Sequence, residues 1–421
     1  MPITKGEQVI MSREILLLEK LEKDLSLKEL QIKSLLTITQ AINENVSADG
    51  LFNMYRSFLS WEMGIDRMGL FIPNENNWKC AAQINLRPNQ KSQEIIDELL
   101  KHKRLHTVKD DDPDIIQLFD IVIPVFHKDE PIAYSIIGGI KDKNDLYNKI
   151  QFITTITNII AVAIENKRLF KEQIEQERLQ KEMELAGEVQ KMLIPNTLPK
   201  NKNVDVSMIY KPHLNIGGDY LDVIRFDENR YAFCIADISG KGVPAALLMA
   251  NFQAMIQSLI FQYRDLETFV FALNQTVYRV TQSDKFITFF VCEVDIQNKK
   301  LKYVNAGHYP PVLYNNGQIT RLEQGCTVIG AFEKLPEIQE AYVDLGEESM
   351  IMCFTDGLAD LKNDFGDYYD DEKIEAFVKT HGKKSAQEFN DLLLNEIDKF
   401  KQDQFYPDDI AILTSKIFTG K

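Results

Sequence analysis

The 421-residue chain carries 48 Lys+Arg against 63 Asp+Glu, a formal net charge of -15, with 44% hydrophobic and 26% charged residues. That length accommodates two domains with real cores, and the acidic balance argues against a nucleic-acid partner, because phosphate-backbone binding runs on clustered cations. The five cysteines, Cys80, Cys234, Cys292, Cys326 and Cys353, are scattered and form no C-x-x-C pair, so a reducing compartment and no zinc site are expected.

The opening residues, MPITKGEQVIMSREILLLEKLEKD, lack the uninterrupted apolar run of a signal peptide. No later stretch approaches the ~18 to 20 apolar residues of a membrane span, so a cytoplasmic location without a membrane partner is expected. Residues 12 to about 47 read as one helix, with Ile15, Leu18, Leu21, Leu25, Ile32 and Leu35 at mostly three- and four-residue steps. From Leu51 to Asp145 short β-rich runs take over, among them MGLFIP (68–73), DIVIPVFH (120–127) and PIAYSIIGGI (131–140). A long helix follows from about Lys149 to Leu193. Its middle is highly charged, and Leu179, Met183, Ala186, Val189 and Leu193 form one apolar stripe. That stripe fits either a partner helix, as in a coiled coil, or packing on its own domain.

Pro195 and Pro199 end the helix, since proline removes a backbone donor and biases its predecessor out of the helical region. Beyond them Val204, Val206, Met208 and Tyr210 alternate as a strand, and RYAFCIA (230–236) is an apolar strand ending at Asp237. Pro244 opens a helix, FITFFVCEVDI (286–296) and KLKYVNA (300–306) pair as a hairpin, and SMIMCFT (349–355) is another apolar strand. Helices over about 371–380 and 385–401, then the strand IAILTSKIF, complete the chain. The expected division is an N-terminal helix (1–35), a sensor domain (36–165), a helical linker (166–195) and a catalytic domain (196–421).

Four acidic motifs lie in the second half: GGDYLD (217–222), ADISGKGVPAA (236–246), TDG (355–357) and PDD (407–409). In this reading Asp237 and Asp356 lie just beyond strand ends, Asp408 just before a strand, and Asp219 begins one. Such carboxylates can converge at one end of a β architecture, where mutual repulsion calls for bound cations. Oxygen-only ligands favour Mg²⁺ or Mn²⁺ over zinc.

Taken in order, these motifs resemble the metal-dependent protein phosphatase (PPM) family, in its bacterial SpoIIE/RsbU-type branch. The likeness covers about Leu185 to Phe418, including the approach helix AGEVQKMLIP and the segment NAGHYPPVLY (305–314). It implies an α/β (α+β) fold, a β-sandwich flanked by helices, with two Mn²⁺ or Mg²⁺ ions. By motif, Asp237 is the catalytic residue and bridges both ions with the backbone carbonyl of Ile238 beside it. Asp356 and Asp408 hold one ion and Asp219 serves the other, while Asp222, Asp409 and His308 are supporting positions. The implied reaction is hydrolysis of a phosphoserine or phosphothreonine in a bacterial regulatory protein such as an anti-sigma-factor antagonist. The chain departs from the branch at Lys241, commonly His; at Asp360, usually Glu; and at Ala411, usually Thr.

The front half is similar to a GAF domain, through LLTITQAINENVSADGLFNMYRSFL and IPVFHKDEPIAYSIIGG. That likeness implies a sensor taking a small molecule or a partner protein, and a homodimer built on the flanking helices. Against an active phosphatase stands one alternative, a catalytically inactive PPM fold used as a regulated binding module. No glycine-rich ATP loop or phosphoacceptor helix supports a kinase.

Overall fold

In the computed structural model, residues 5–74, 77–87, 93–140, 146–213 and 215–420 are described. The chain divides into two compact units, Met1–Glu177 and Arg178–Lys421.

The front unit begins with helix α1 (Lys5–Asn43), α2 (Ala48–Ser57) and a π-turn (Phe58–Glu62). Strands β1 (Arg67–Asn74) and β2 (Asn77–Ile84) precede α3 (Gln93–Leu99) and the short β3 (His106–Thr107). Then come β4 (Ile121–His127), β5 (Glu130–Gly138) and the long α4 (Leu146–Lys191). The β-rich run therefore starts later than its sequence suggests, because Ser47 accepts a hydrogen bond from the Gly50 amide (3.1 Å) and starts a second helix through Leu51. The antiparallel sheet has the order β2-β1-β5-β4-β3. Alternation sends Met68 and Leu70 to a core shared with Ile38, Tyr55, Ile153, Ile156 and Ile160 of the helices, while Phe71 packs with Tyr134 and Ile95 on the other face. On α1, Leu18, Leu21, Leu25 and Ile32 are exposed; the Ile15 side chain lies outside the described residues.

The second unit holds β6 (Val204–Lys211), β7 (Tyr220–Arg225), β8 (Arg230–Ile238), α5 (Val243–Leu259), α6 (Leu266–Thr281), β9 (Ile287–Asp295) and β10 (Lys300–Ala306). There follow β11 (Val312–Asn315), β12 (Gln318–Arg321), β13 (Gly325–Cys326), β14 (Ala341–Asp344) and β15 (Glu348–Phe354). The chain closes with α7 (Asp356–Ala359), α8 (Asp371–His381), α9 (Ala386–Lys401) and β16 (Ile410–Phe418). One sheet runs β13-β10-β9-β8-β7, with β14 also on β10; the other runs β12-β11-β15-β16-β6.

These sheets pack face to face. Phe233 and Ile235 of the first share a core with Ile351, Cys353, Ala411 and Leu413 of the second. Outside the first sheet lie α5 and α6, where the Phe252 ring stands 5.2 Å from Phe289. Outside the second, α8 and α9 bring Phe377, Phe389 and Leu393 onto Met350, Met352 and Ile412. The architecture is thus the β-sandwich flanked by helices that the motifs imply. Helix α6 is an addition to the sequence reading: Asp265 caps it by accepting from the Thr268 amide (2.7 Å), and Leu266, Phe269, Val270, Leu273 and Val277 are buried. Along the end of α4 most of the apolar stripe faces solvent, with Leu179 57% and Val189 61% exposed, while Leu193, just beyond the helix, packs against the core of the second unit.

Candidate active site

The acidic residues gather where the two sheets meet at one end of the sandwich. Asp237 is the penultimate residue of β8, inside the strand rather than beyond it, because β8 stays paired with β9 through Asp237–Thr288 and Ile238–Ile287. Alternation decides its side. Ala236 is registered with Phe289 on the α5 face, so Asp237 points toward the second sheet. Asp219 lies just before β7 and is buried, accepting a hydrogen bond from the Thr355 hydroxyl (2.8 Å). Thr355 also accepts from the Ala411 amide (3.0 Å), which ties the end of β15 to β16. The next residue, Asp356, starts α7. Gly357 must remain glycine, since a Cβ there would stand 2.0 Å from the Asp409 carbonyl oxygen.

Asp408 and Asp409 precede β16. Asp408 meets the Lys241 ammonium at 2.8 Å, whereas Asp409 accepts from the backbone amides of His213 and Gly218, both at 2.7 Å. Asp409 therefore pins the loop that carries Asp219.

The electrostatics follow from this crowding. Burial, then Asp237 and Asp409, pushes the Asp219 carboxyl well above the usual carboxylate range. Burial, with Asp356 and Asp408 next, raises Asp237 to about 7. Burial, then Asp360 and Asp408, raises Asp356 too. Beside them the buried Tyr210 hydroxyl has no hydrogen-bond partner, and burial plus the charges of Asp409 and Asp219 hold its proton on. Lys241 is the cation that opposes these acids.

An all-oxygen, mutually repelling set with an unpaired phenol beside it fits hard divalent cations such as Mg²⁺ or Mn²⁺ in chemistry. Among the described residues, no three His, Cys, Asp or Glu side chains are already closed around a common ion position. Thr355 and Lys241 engage oxygens of Asp219 and Asp408 instead.

Two of the supporting positions stand apart. Asp222 is buried on the α5 face of the first sheet, bonded to Tyr220 and Gln257 and turned away from Asp237. His308 is buried between the sheets, its Nδ1 on the Thr288 hydroxyl (2.9 Å) and its Nε2 on the Phe354 carbonyl (3.1 Å). Burial lowers its pKa to about 4, so it is a neutral tie between β9 and β15.

Residues 227–418 match the model of the Stage II sporulation protein E (SpoIIE) family. That match falls wholly within the second unit. The matched stretch contains Asp237, Asp356 and Asp408, with Asp219 just ahead of it. Across 246 residues the chain is 26% identical to the phosphoserine phosphatase RsbU of Bacillus subtilis (strain 168), covering 58% of this chain and 72% of that protein. It is 29% identical over 186 residues to the phosphoserine phosphatase RsbP of the same organism, covering 43% of this chain and 45% of RsbP. The SiaA-PP2C domain of Pseudomonas aeruginosa shares the fold, with a TM-score of 0.52 at 19% identity over 57% of this chain and 97% of that one.

The second unit is also held by its approach helix, at two residues of the segment AGEVQKMLIP to which the sequence assigns no role of their own. Gln190 of α4 is buried and grips Gly217 twice, accepting from its amide (3.0 Å) and donating to its carbonyl (2.7 Å). One turn earlier, a Cβ on Gly187 would stand 2.2 Å from the Asn215 carbonyl oxygen. The last turn of α4 thus lies directly on the loop that carries Asp219. Thr355 was legible as part of TDG, but its partner lies 136 residues away and gives no local signal.

Proposed function

We propose that the protein is a metal-dependent serine/threonine phosphatase that acts on a bacterial regulatory phosphoprotein such as an anti-sigma-factor antagonist. The observation that carries this reading is the convergence of Asp219, Asp237, Asp356 and Asp408 on one end of the sandwich, with Asp237 raised to about 7 by burial and its acidic neighbours. Those four carboxylates and the Ile238 carbonyl would hold two Mn²⁺ or Mg²⁺ ions. Such ions supply charge neutralisation on the phosphoryl group and activation of water.

The chain's own groups do the positioning. Thr355 orients Asp219, Asp409 fixes the 217–218 backbone, and neutral His308 keeps the two sheets in register beside the acids. A cysteine nucleophile is disfavoured: Cys234, Cys292 and Cys353 are buried and their thiols are pushed up by burial.

The front unit, in this reading, is a GAF-like sensor for a small molecule or protein, with domain limits at 36–165 and a linker at 166–195. The exposed apolar stripes of α1 and α4 support a homodimer, and the grip of Gln190 on Gly217 supports α4 as the element that conveys the sensor's state. No helix among the described residues is long and apolar enough to cross a membrane, which agrees with a cytoplasmic location.

The test is hydrolysis of p-nitrophenyl phosphate and of phosphoserine peptides by the full chain, with and without millimolar Mn²⁺ and after exhaustive EDTA treatment. Turnover that appears with Mn²⁺ and disappears with EDTA is expected. Full activity after chelation, or none with Mn²⁺, would overturn the proposal and in the second case favour the inactive binding module.

A further inference from the structure

Lys241 sits in the loop between β8, which bears Asp237, and α5, flanked by Gly240 (φ 99°) and Gly242 (φ 71°). Its ammonium lies 2.8 Å from Asp408 Oδ2 and donates to the Pro407 carbonyl at 3.3 Å. Lys241 follows a strand of the first sheet, and Asp408 precedes a strand of the second. The ion pair therefore spans the two sheets at the mouth of the acidic cluster. Both partners remain solvent-accessible, at 55% and 41%, so the bond can open without unfolding anything around it.

We infer that Lys241 is a tethered cation that competes with the divalent metal for Asp408 and so sets how tightly the centre holds its ions. This rests on the reading of the acidic cluster as a metal centre. An ion that uses Asp408 Oδ2 must displace an ammonium already bound there, and a nearby positive charge also disfavours a second cation directly. The two glycines allow the loop to swing once the pair opens, since their positive φ values are open to them without strain.

The experiment is a Mn²⁺ titration of the full-length protein followed by electron paramagnetic resonance, which reads free aqueous Mn²⁺, for wild type, Lys241→Gln, Lys241→Met and Lys241→Arg. Both neutral variants should bind Mn²⁺ about three- to tenfold more tightly at low salt, with Lys241→Arg close to wild type. The gap should narrow at about 0.5 M salt, where exposed ion pairs are screened. Without metal, the neutral variants should melt at lower temperature than wild type, because the acids lose their counter-charge. Equal or weaker Mn²⁺ binding by both neutral variants would overturn the inference and leave the metal centre standing. Failure of every protein, wild type included, to bind Mn²⁺ in the millimolar range would overturn both.

Discussion

Replacing Gly187 by alanine tests whether the last turn of α4 governs the acidic site. The added Cβ would lie 2.2 Å from the Asn215 carbonyl oxygen and 3.1 Å from its carbon. Carbon and oxygen normally stay more than 3 Å apart, so helix and loop must separate by about 1 Å, and both contacting surfaces are backbone that cannot rotate away. Overpacking of this kind costs about 1–3 kcal/mol, offset by about 1 kcal/mol from the better helix propensity of alanine. The net loss of stability is therefore small, about 0–2 kcal/mol. The effect on the site is larger, because the same separation breaks both Gln190 bonds to Gly217 and moves the residues next to Asp219. A 1 Å displacement of a catalytic group costs on the order of 100-fold in rate. Gly187→Ala should lower Mn²⁺-dependent p-nitrophenyl phosphate turnover by about that factor while the protein remains folded, and should speed hydrogen exchange at the Gly217 amide. Wild-type turnover together with wild-type exchange at Gly217 would refute the coupling.

Asp237→Asn should lower turnover by several powers of ten, and retention of more than about a tenth of wild-type activity would remove Asp237 from its assigned role. The same variant should be more stable than wild type in EDTA at pH 8, by on the order of 2–4 kcal/mol in chemical denaturation, because a carboxyl raised to about 7 destabilises the fold once ionised. His308 predicts acid sensitivity: its folded pKa of about 4 lies below the unfolded 6.5, so its contribution, about 3 kcal/mol, is present above pH 6.5 and is lost as pH falls toward 4. His308→Gln should flatten that part of the stability profile, and an unchanged slope would count against the assignment. Met183→Glu with Val189→Glu should reduce self-association in light scattering and alter basal turnover together; a monomeric wild type, or activity indifferent to the pair, would reduce α4 to a tether.

Much of the second unit was legible because its strands are short apolar runs bounded by turn residues and its acids fall beside them. What escaped was long-range or competed with local cues. Helix α6 carries a cap at Asp265 and apolar residues at helical spacing, but its aromatic and β-branched content, TFVFALNQTVYRV, also reads as strand. Asp237 was set outside β8 because charged residues usually leave a strand, whereas pairing with Thr288 keeps it in. Asp222 looked like part of the acidic group through sequence proximity to Asp219. An odd spacing along a strand reverses the face, and Asp222 ends beside Gln257 of α5. Gln190 and Gly187 were invisible as site residues, since what fixes their importance is a backbone 27 or 28 residues further along the chain.

The contiguous pair Asp408–Asp409 bears on which insertions and deletions the gene can tolerate. One carboxylate reaches the mouth of the site and its neighbour anchors the backbone behind it, a division of labour that depends on consecutive side chains leaving the chain on different sides as it enters β16. A residue inserted between them would turn one acid to the wrong side and leave the composition of the motif intact. By contrast, the stretch from Gln402 to Phe405 follows a helix and stops short of Tyr406, whose hydroxyl meets Lys211 of β6 and whose carbonyl meets His213, so length variation before Tyr406 should leave both acids in place. A library of single-codon insertions across residues 400–412, scored for folded yield and turnover separately, would map that boundary to one peptide bond.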